Sequence, residues 1–434
     1  MLKLRRGFTA ELFVAKQTDG VFQAEEMAMC CDPVFEPKHL LQPARYEGSG
    51  VTINLIENDD DLIFLSGFFG DTNELRLIQR DGTIVQQWPL SFADIFTDMS
   101  FLPSPPASDW NVGTHGALAL PDGSVVFNFD YSGTAKLDRA GQVVWTINDF
   151  THHSIERAES GGFWIPGQRT VGEIPHFSQS PFPPFQAPFV ESTLMRVSEE
   201  GEVIEEISVP QLFYDNGLEA LLSSKASIYK PSPHDAWNRE IVHLNNISEL
   251  SSELADDFPL FETGDLILSM RDLNLLMVID PKTKAVKWWH VGPWLRQHDP
   301  EFIAGGKINV FNNNTYIRVA FGEEGRTTKL TSLDLPRVSN IIEIDPVKNV
   351  STIRYGSRID QEMFSVTRGK IDPTEHDGLI VTEFDGGRVF EIDANGTIVW
   401  EYINRYDDDE VAEITEARIY PRSYFEVKEW QTLP

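Results

Sequence analysis

Short runs of alternating apolar and polar residues recur along the chain, and each run is interrupted by a polar turn. One copy begins at Leu75, turns at Asp81 and Gly82, and continues through a β-branched run to Trp88. Alternation on both sides of a short glycine turn is typical of a β-hairpin with one buried face. The pattern therefore predicts strands and leaves little room for helix.

This hairpin repeat occurs six times in the sequence. Its copies begin at Leu75, Ala135, Leu194, Met277, Ile342 and Val389. A further predicted strand usually precedes each copy, as at residues 118–126 and 378–382. Sheets of four strands that repeat around an axis bury their faces against each other and leave only short edges. We therefore predict an all-β fold, a six-bladed β-propeller of four-stranded antiparallel blades with long inter-blade loops.

The segments between the repeats are longer than a minimal blade requires, and the excess is expected in loops, where propellers build their sites. Residues 172–192 are rich in proline and phenylalanine and are interpreted as an ordered lid or packing loop. Residues 212–240 form a second, more polar connection. We assign residues 1–45 to an N-terminal extension or appendage and residues 46–434 to the propeller.

The net charge of the chain limits the classes of binding partner that we expect. The chain has 67 acidic and 36 basic residues, which give a formal net charge of -31. Such a field repels phosphate backbones and anionic lipid surfaces, so nucleic acid is not an expected partner. An acidic solvated surface explains this composition without any specific acidic function.

The sequence predicts neither a disulfide framework nor a membrane-spanning segment. Its two cysteines, Cys30 and Cys31, are neighbours in sequence, so no disulfide framework is expected. The basic start at residues 1–6 resembles the first region of a signal peptide. Residues 7–23 nevertheless contain no apolar run long enough for a signal core or a membrane span. We therefore predict no membrane span in this chain.

Histidines are the main candidates for chemistry, because no phosphate-binding loop, zinc-binding H-E-x-x-H helix or G-x-S-x-G elbow occurs in the sequence. Several stand where an inner strand is predicted to begin or in a long loop between blades. They are His115, His152, His153, His243 and His298. A single loop histidine is more often structural than catalytic, but several that converge on one propeller channel would form a site.

An ordered set of short motifs resembles the bacterial arylsulfate sulfotransferase family. The motifs, spread over residues 110–404, are Thr151-His152-His153-Ser154-Ile155, His243-Leu244-Asn245-Asn246-Ile247, Leu268-Ser269-Met270-Arg271, Val286-Lys287-Trp288, Gln297-His298-Asp299 and Val310-Phe311-Asn312-Asn313. The resemblance implies a six-bladed propeller that moves a sulfuryl group from a phenolic sulfate ester to a phenolic acceptor. It also implies a sulfohistidine intermediate and no nucleotide sulfate donor.

The resemblance assigns roles to individual residues. By position, His298 matches the nucleophile of the family. The residues that hold the sulfuryl oxygens and the departing phenol oxygen correspond to Arg271, His243 and one histidine of the pair His152 and His153, which we take to be His153. A neutral imidazole is a competent nucleophile, and a planar arginine suits oxygens that carry negative charge.

Four further residues are expected to bind substrate. Asn245 matches an asparagine beside the family's site, and His152 is the second histidine of its pair. Trp294 and Phe302 flank the predicted nucleophile and are suited to stack on an aryl ring. Packing in the core is an equally good interpretation of both aromatic residues.

The resemblance further implies aryl sulfates and phenols as small-molecule partners, no cofactor, and a periplasmic or extracellular location. A metal is not expected, because Arg271 would repel a zinc or copper ion held by the histidines. Two other hypotheses stay open. One is a non-catalytic propeller that binds a ligand or another protein, or assembles as a homo-oligomer or surface structure. The other is a propeller enzyme with a quinone cofactor, since the strand-turn-Trp repeat also resembles quinoprotein blades.

Overall fold

The computed structural model describes residues 40–57, 59–171, 182, 189–222, 240–315, 318–321, 327–330, 339–374 and 377–430. Strands dominate these residues, as the alternating pattern predicted. In chain order they are β1 (Leu41–Pro43), β2 (Gly50–Asn54), β3 (Leu62–Phe69), β4 (Thr72–Ile78), β5 (Ile84–Leu90), β6 (Thr114–Ala119), β7 (Val125–Phe129), β8 (Thr134–Leu137), β9 (Val143–Ile147), β10 (Glu156–Arg157), β11 (Phe163–Val171), β12 (Phe189–Val197), β13 (Val203–Ser208), β14 (Leu244–Glu249), β15 (Leu266–Met270), β16 (Leu275–Asp280), β17 (Ala285–Val291), β18 (His298–Ile303), β19 (Lys307–Asn312), β20 (Arg318–Phe321), β21 (Thr327–Leu330), β22 (Asn340–Asp345), β23 (Val350–Tyr355), β24 (Lys370–Thr374), β25 (Gly378–Glu383), β26 (Arg388–Ile392), β27 (Ile398–Ile403), β28 (Glu410–Ala412) and β29 (Ile414–Tyr420).

Helices in the described part of the chain are short. The α-helices are α1 (Phe92–Ile95), α2 (Val209–Asp215) and α3 (Glu219–Leu222). The 3-10 turns are Asp109–Asn111, Ala255–Asp257, Arg271–Leu273, Phe384–Gly386 and Arg422–Tyr424. Within the described residues, every helix is too short and too polar to cross a bilayer.

Six antiparallel sheets form the blades of a β-propeller. Blade I contains β29, β3, β4 and β5, blade II contains β6 to β9, blade III contains β10 to β13, and blade IV contains β14 to β17. Blade V contains β18, β19, β22 and β23, and its two middle strands are separated in sequence by the hairpin of β20 and β21. Blade VI contains β24 to β27 and gains β2 as a fifth, outermost strand. The predicted six-bladed all-β fold is therefore confirmed.

Strands from both ends of the propeller sequence complete its first and last blades. The late strand β29 is the innermost strand of blade I, where Ile414 pairs with Gly67 and Tyr420 with Leu62. The early strand β2 pairs with β27 at the outer edge of blade VI. Strand β1 also pairs with a late strand, β28. The compact unit that contains the blades starts at Pro37, so β1 lies inside it although the sequence analysis placed these residues in the extension.

The tryptophan that ends many of the repeats connects neighbouring blades. Its indole nitrogen donates a hydrogen bond to the turn between the third and fourth strands of the next blade. The donor and acceptor pairs are Trp88 with Asp138, Trp145 with Glu199, Trp288 with Asn349 and Trp400 with Arg80, at 3.2, 3.0, 3.1 and 2.8 Å. A large ring with one polar atom is suited to this role, because it fills the interface and keeps its N–H satisfied. The repeat in the sequence thus encodes both a blade and its contact with the next blade.

Several predicted segments fall on residues that are not described. They include residues 1–39 of the extension, with Cys30 and Cys31, and residues 223–239 of the polar connection. Of the proline- and phenylalanine-rich loop at 172–192, Phe182 and residues 189–192 are described. Phe182 is buried in the hydrophobic cluster between blades III and IV. The rest of the predicted lid lies outside the described residues.

Candidate active site

Two recurring positions of the blades supply the candidate site. The first position is the start of the innermost strand, and the second is the residue that follows the second strand. His243 and Arg271 occupy them in blade IV, where the Arg271 N–H donates to the His243 carbonyl at 3.1 Å. The corresponding pairs are His115 with Asp130 in blade II and His298 with Asn313 in blade V. The antiparallel pairing of the first two strands in each blade therefore brings side chains that are distant in sequence to one end of the inner strands.

Five buried imidazoles meet there and form what we call the histidine cluster: His115, His152, His153, His243 and His298. The His153 ring lies in the middle, with centroid distances of 4.1 Å to His115, 4.8 Å to His152, 4.9 Å to His243 and 6.1 Å to His298. Each member is at most 4% exposed. The structure thus gathers all the histidines that the sequence analysis singled out.

Unusual backbone geometry is concentrated around this cluster. Tyr131, His153, His243, Arg296 and Arg368 have φ between 55° and 57°, the left-handed region that non-glycine residues rarely adopt. The inner strands also change register where they begin, for example between positions 298 and 301 of β18. Such bulges turn side chains away from the regular alternation. Conformations of this kind persist when surrounding contacts hold them and are common at functional sites.

The protonation of His298 follows from its hydrogen bonds. Its Nδ1 lies 2.7 Å from Oδ1 of the fully buried Asn313. The amide nitrogen of Asn313 donates to the carbonyls of Ser365 and Arg368, at 3.0 and 2.8 Å. Oδ1 can therefore only accept, and Nδ1 of His298 must carry the proton. The lone pair of the neutral ring is then on Nε2.

Burial favours the neutral form of four members of the cluster, His115, His152, His153 and His298. The pKa of His298 is lowered well below its ordinary value, first by burial and then by the positive charge of Arg271. Burial also lowers the pKa of His115 and His153, and it lowers that of His152 to about 4. A nucleophilic imidazole must be unprotonated, so this environment suits His298 for attack at neutral pH.

His243 is held by a carboxylate. Its Nδ1 lies 2.6 Å from Oε2 of Glu240, and its buried Nε2 has no hydrogen-bond partner among the described residues. Burial alone would raise the pKa of Glu240, but His243 beside it lowers the pKa overall. The carboxylate therefore stays ionised and orients the ring. Nε2 of His243 is left available for a ligand.

Arg271 and Asn245 have different surroundings. Arg271 is partly exposed and donates through Nε to Asp272 at 3.2 Å. Asn245 is buried, and its Nδ2 donates to the Gln297 carbonyl at 2.7 Å. Gln297 is itself anchored by hydrogen bonds to Ser269 and Leu275, both 3.1 Å. Asn245 thus fixes the peptide that precedes His298.

The two aromatic candidates lie elsewhere. The Trp294 indole donates to the Asn274 carbonyl at 2.8 Å, and Phe302 packs edge-on against Phe258 with a centroid distance of 5.2 Å. Both belong to the hydrophobic cluster between blades IV and V. In the part of the chain that the structure describes, neither ring contacts the histidine cluster. The aromatic ring that meets the cluster is instead that of Tyr131, whose centroid lies 4.6 Å from His152 and 6.0 Å from His153.

Sequence analysis gave no role to several residues of this region, although Asn313 stands in one of the quoted motifs: Asp130, Tyr131, Glu240, Arg296, Asn313 and Arg368. Position in the repeat was the available signal, because Asp130 and Asn313 follow the second strand of their blades as Arg271 does. Residue type alone gave no reason to select an asparagine or an aspartate at that place.

One group in the cluster has the residue types of a metal site. Ligand atoms of His115, Asp130 and His153 all lie within 4.8 Å of one another. The Asp130 carboxylate already contacts His115 Nδ1 and the Arg368 guanidinium, both at 3.0 Å. A cation would have to compete with that guanidinium for the carboxylate. The guanidinium of Arg368 therefore disfavours a metal ion at this group.

The fold and this cluster define a six-bladed β-propeller with an imidazole- and guanidinium-lined site at one end of its inner strands. The sequence model of the Arylsulfotransferase (ASST) family matches residues 116–405, which is more than half of the chain. The protein belongs to this family, as the motifs predicted. No curated protein matches the chain.

Three solved structures are remotely similar to this chain. A protein of unknown function from Bacteroides caccae is 13% identical over 83% of this chain and 99% of its own, with a TM-score of 0.43. Virginiamycin B lyase from Staphylococcus aureus is 12% identical over 68% of this chain and 85% of its own, with a TM-score of 0.34. BamB from Moraxella catarrhalis is 10% identical over 83% and 76%, with a TM-score of 0.32. Nothing about the chemistry of this chain follows from them.

Proposed function

We propose that this protein transfers a sulfuryl group from a phenolic sulfate ester to a phenolic acceptor through a sulfohistidine at His298. The observation that carries the proposal is the hydrogen bond of 2.7 Å between His298 Nδ1 and Asn313, which directs the lone pair of a buried, neutral imidazole to Nε2. The family assignment supports the same chemistry.

The reaction has two balanced steps. First, Nε2 of His298 attacks sulfur, the N–S bond forms, and the S–O bond to the aryl ring breaks with its electron pair on the phenolate oxygen. An acceptor phenol then attacks the same sulfur, and the N–S electron pair returns to Nε2. The departing phenolate takes up a proton from a group of the site in the first step. The acceptor phenol returns a proton to the same group in the second step. A covalent intermediate divides one difficult displacement into two easier ones.

Arg271, His153 and His243 surround the nucleophile in this proposal and hold the oxygens. Arg271 is close enough to His298 to lower its pKa, and both histidine rings lie within the same cluster. Negative charge on the sulfuryl and phenolate oxygens is stabilised by fixed donors and cations, which is often the largest contribution to such catalysis. His243, oriented by Glu240, is placed to pass the proton between the leaving phenolate and the acceptor.

The experiment is incubation with 4-nitrophenyl sulfate, followed by intact mass and peptide mapping. We expect release of nitrophenol and one sulfuryl group on His298, and transfer to added phenol. His298→Gln abolishes the adduct. His290→Gln is the matched control, because His290 is the described histidine outside the cluster, where its Nδ1 lies 2.8 Å from the Gly292 carbonyl.

Absence of the adduct and of phenol release across a broad panel of aryl sulfates would contradict this proposal. The non-catalytic propeller would then be the better explanation, and His298→Gln would leave function intact. We also propose a periplasmic or extracellular location, which rests on the family assignment alone. Immunodetection in fractions of the producing cells tests it, and a purely cytoplasmic signal argues against it.

A further inference from the structure

Arg296 lies two residues before His298 and is fixed through its backbone. Its N–H donates to Asn274 Oδ1 at 2.8 Å, and its carbonyl lies 3.1 Å from His298 Nδ1. Its φ of 55° is in the left-handed region. The main chain is thus held from both sides, so the position of the Arg296 side chain is coupled to that of the nucleophile.

Asn274 also connects Arg296 to Arg271. The Asn274 N–H donates to the Arg271 carbonyl at 3.2 Å, while its side chain binds the Arg296 N–H. The two arginines therefore sit on either side of one turn. Burial, followed by the charge of Arg271, lowers the pKa of Arg296 to about 10. Arg271 and Arg296 thus place two positive charges beside the turn at Asn274. Both arginines are partly exposed, whereas His298 is buried.

Arg296 differs from two buried arginines of the protein, Arg368 and Arg388. Arg368 binds Asp130 at 3.0 Å, and Arg388 binds Glu401 at 2.7 Å. Among the described residues, the Arg296 guanidinium has no carboxylate or carbonyl acceptor. The Arg296 side chain is partly exposed, and Asp272 supplies one negative charge beside the two arginines. The guanidinium of Arg296 is therefore able to bind an anionic group of a ligand through charge-assisted hydrogen bonds.

We propose that Arg296, together with Arg271, binds a second anionic group on the substrate, so that the protein selects aryl sulfates whose ring also carries a carboxylate or sulfonate. This inference rests on the proposed function for the position of the sulfuryl group at His298. The second anion lies on the solvent side of that group, where the two arginines are partly exposed. An aryl sulfate with a neutral ring fills the same site but gives the Arg296 guanidinium no anionic hydrogen-bond acceptor.

Binding of analogues that cannot transfer a group tests the proposal directly. 4-Sulfobenzoate and 4-sulfobenzamide are matched in shape and differ by one negative charge. In calorimetric titrations of the full chain, we expect the wild type to prefer the benzoate by about tenfold or more. Arg296→Gln removes this preference, and Arg296→Lys retains part of it. Arg139→Gln, which removes an equal charge from an exposed turn of blade II, keeps the full preference.

Transfer kinetics separate this inference from the proposed function. We expect Arg296→Gln to lower kcat/KM for 3-carboxyphenyl sulfate about tenfold and to change it little for 3-carbamoylphenyl sulfate. Equal binding of both analogues by the wild type, no binding of either, or a preference unchanged in Arg296→Gln overturns the anion site even if transfer occurs. A charge preference that depends on Arg296 without any transfer supports the anion site and contradicts the transferase.

Discussion

Strand β18 begins with His298 and carries Glu301 three residues later, and burial acts on these two side chains in opposite directions. It lowers the pKa of His298, with Arg271 adding to the effect. It raises the pKa of Glu301 well above the ordinary value, with Asp299 adding to the effect. The same strand therefore places a neutral base at one end and a neutral acid further along.

Glu301 belongs to a second group of ionisable residues, the carboxylate cluster, in which Glu156, Glu301 and Asp372 are partly buried and Glu416 is buried. Burial raises the pKa of Glu156 to about 7 and that of Asp372 to about 6. Two cations accompany the cluster. Lys370 lies 3.0 Å from Asp299 and 3.4 Å from Glu416, and Arg418 lies 3.4 Å from Glu416.

The difference between the two clusters lies in how their cations are paired. In the carboxylate cluster each cation faces carboxylates of the protein, so the charges are compensated without a ligand. Around the histidine cluster, the Arg271 side chain pairs with the neighbouring Asp272 at 3.2 Å, and the charge of the same carboxylate also acts on Arg296. Two guanidinium groups thus share one carboxylate. Charges that are paired within the protein are typical of a structural region, and an excess of positive charge beside the imidazole of His298 is typical of an anion site.

Removing one cation from each cluster gives the sharpest test of this contrast. Arg271→Gln is expected to lower kcat/KM for aryl sulfates by about 10² to 10³, because a fixed donor to developing negative charge is lost. Its unfolding midpoint stays near that of the wild type. Lys370→Gln leaves the buried Asp299 without its cation and Glu416 with Arg418 alone, and it costs about 3 kcal/mol of stability. Enzyme assays and urea unfolding measure both effects.

Lys282→Gln on an exposed turn is the control for the change in charge. Its activity and stability should both match the wild type. If Lys370→Gln lowers turnover per folded molecule as much as Arg271→Gln does, the division between a chemical and a structural cluster is wrong.

Asn313 allows a second test within the histidine cluster, because its role is to position His298. In Asn313→Ala the Nδ1 proton of His298 keeps only the longer contact of 3.1 Å to the Arg296 carbonyl. Part of the population therefore moves this proton to Nε2 and loses the nucleophilic lone pair. We expect kcat to fall about 10- to 100-fold with little change in KM. Nitrogen NMR of labelled histidine should show that Nδ1 no longer carries the proton preferentially. Asn395→Ala, on an exposed turn, is the control, and an unchanged kcat in Asn313→Ala would refute the positioning role.

Repetition explains how much of this architecture was predictable. The hairpin repeat predicted the blades, because alternation and turns are local properties, and the order of the motifs predicted that His243, Arg271 and His298 would meet. The contributions of Glu240 and Asn313 depend on which of their atoms faces an imidazole. Bulges and left-handed residues set that geometry, and their positions follow from packing around the channel rather than from residue type. Trp294 shows the opposite case, since proximity in sequence to His298 did not place its ring in the cluster.

The smallest expected effect concerns the carboxylate cluster and pH. Because the pKa of Glu156 is raised to about 7 in the folded state, its contribution to stability is complete below its unfolded value and is lost as pH rises through about 7. Glu156→Gln stays neutral and keeps an oxygen to accept the Glu249 N–H, now 3.1 Å from Oε1. The variant should therefore gain about 1 kcal/mol relative to the wild type between pH 5 and pH 8 in urea unfolding. Glu200→Gln, on an exposed turn, should show no such gain. If the difference in unfolding free energy between Glu156→Gln and the wild type is the same at both pH values, Glu156 is ionised in the folded protein throughout this range. The carboxylate cluster would then contain no neutral acid at Glu156 to contrast with the neutral base at His298.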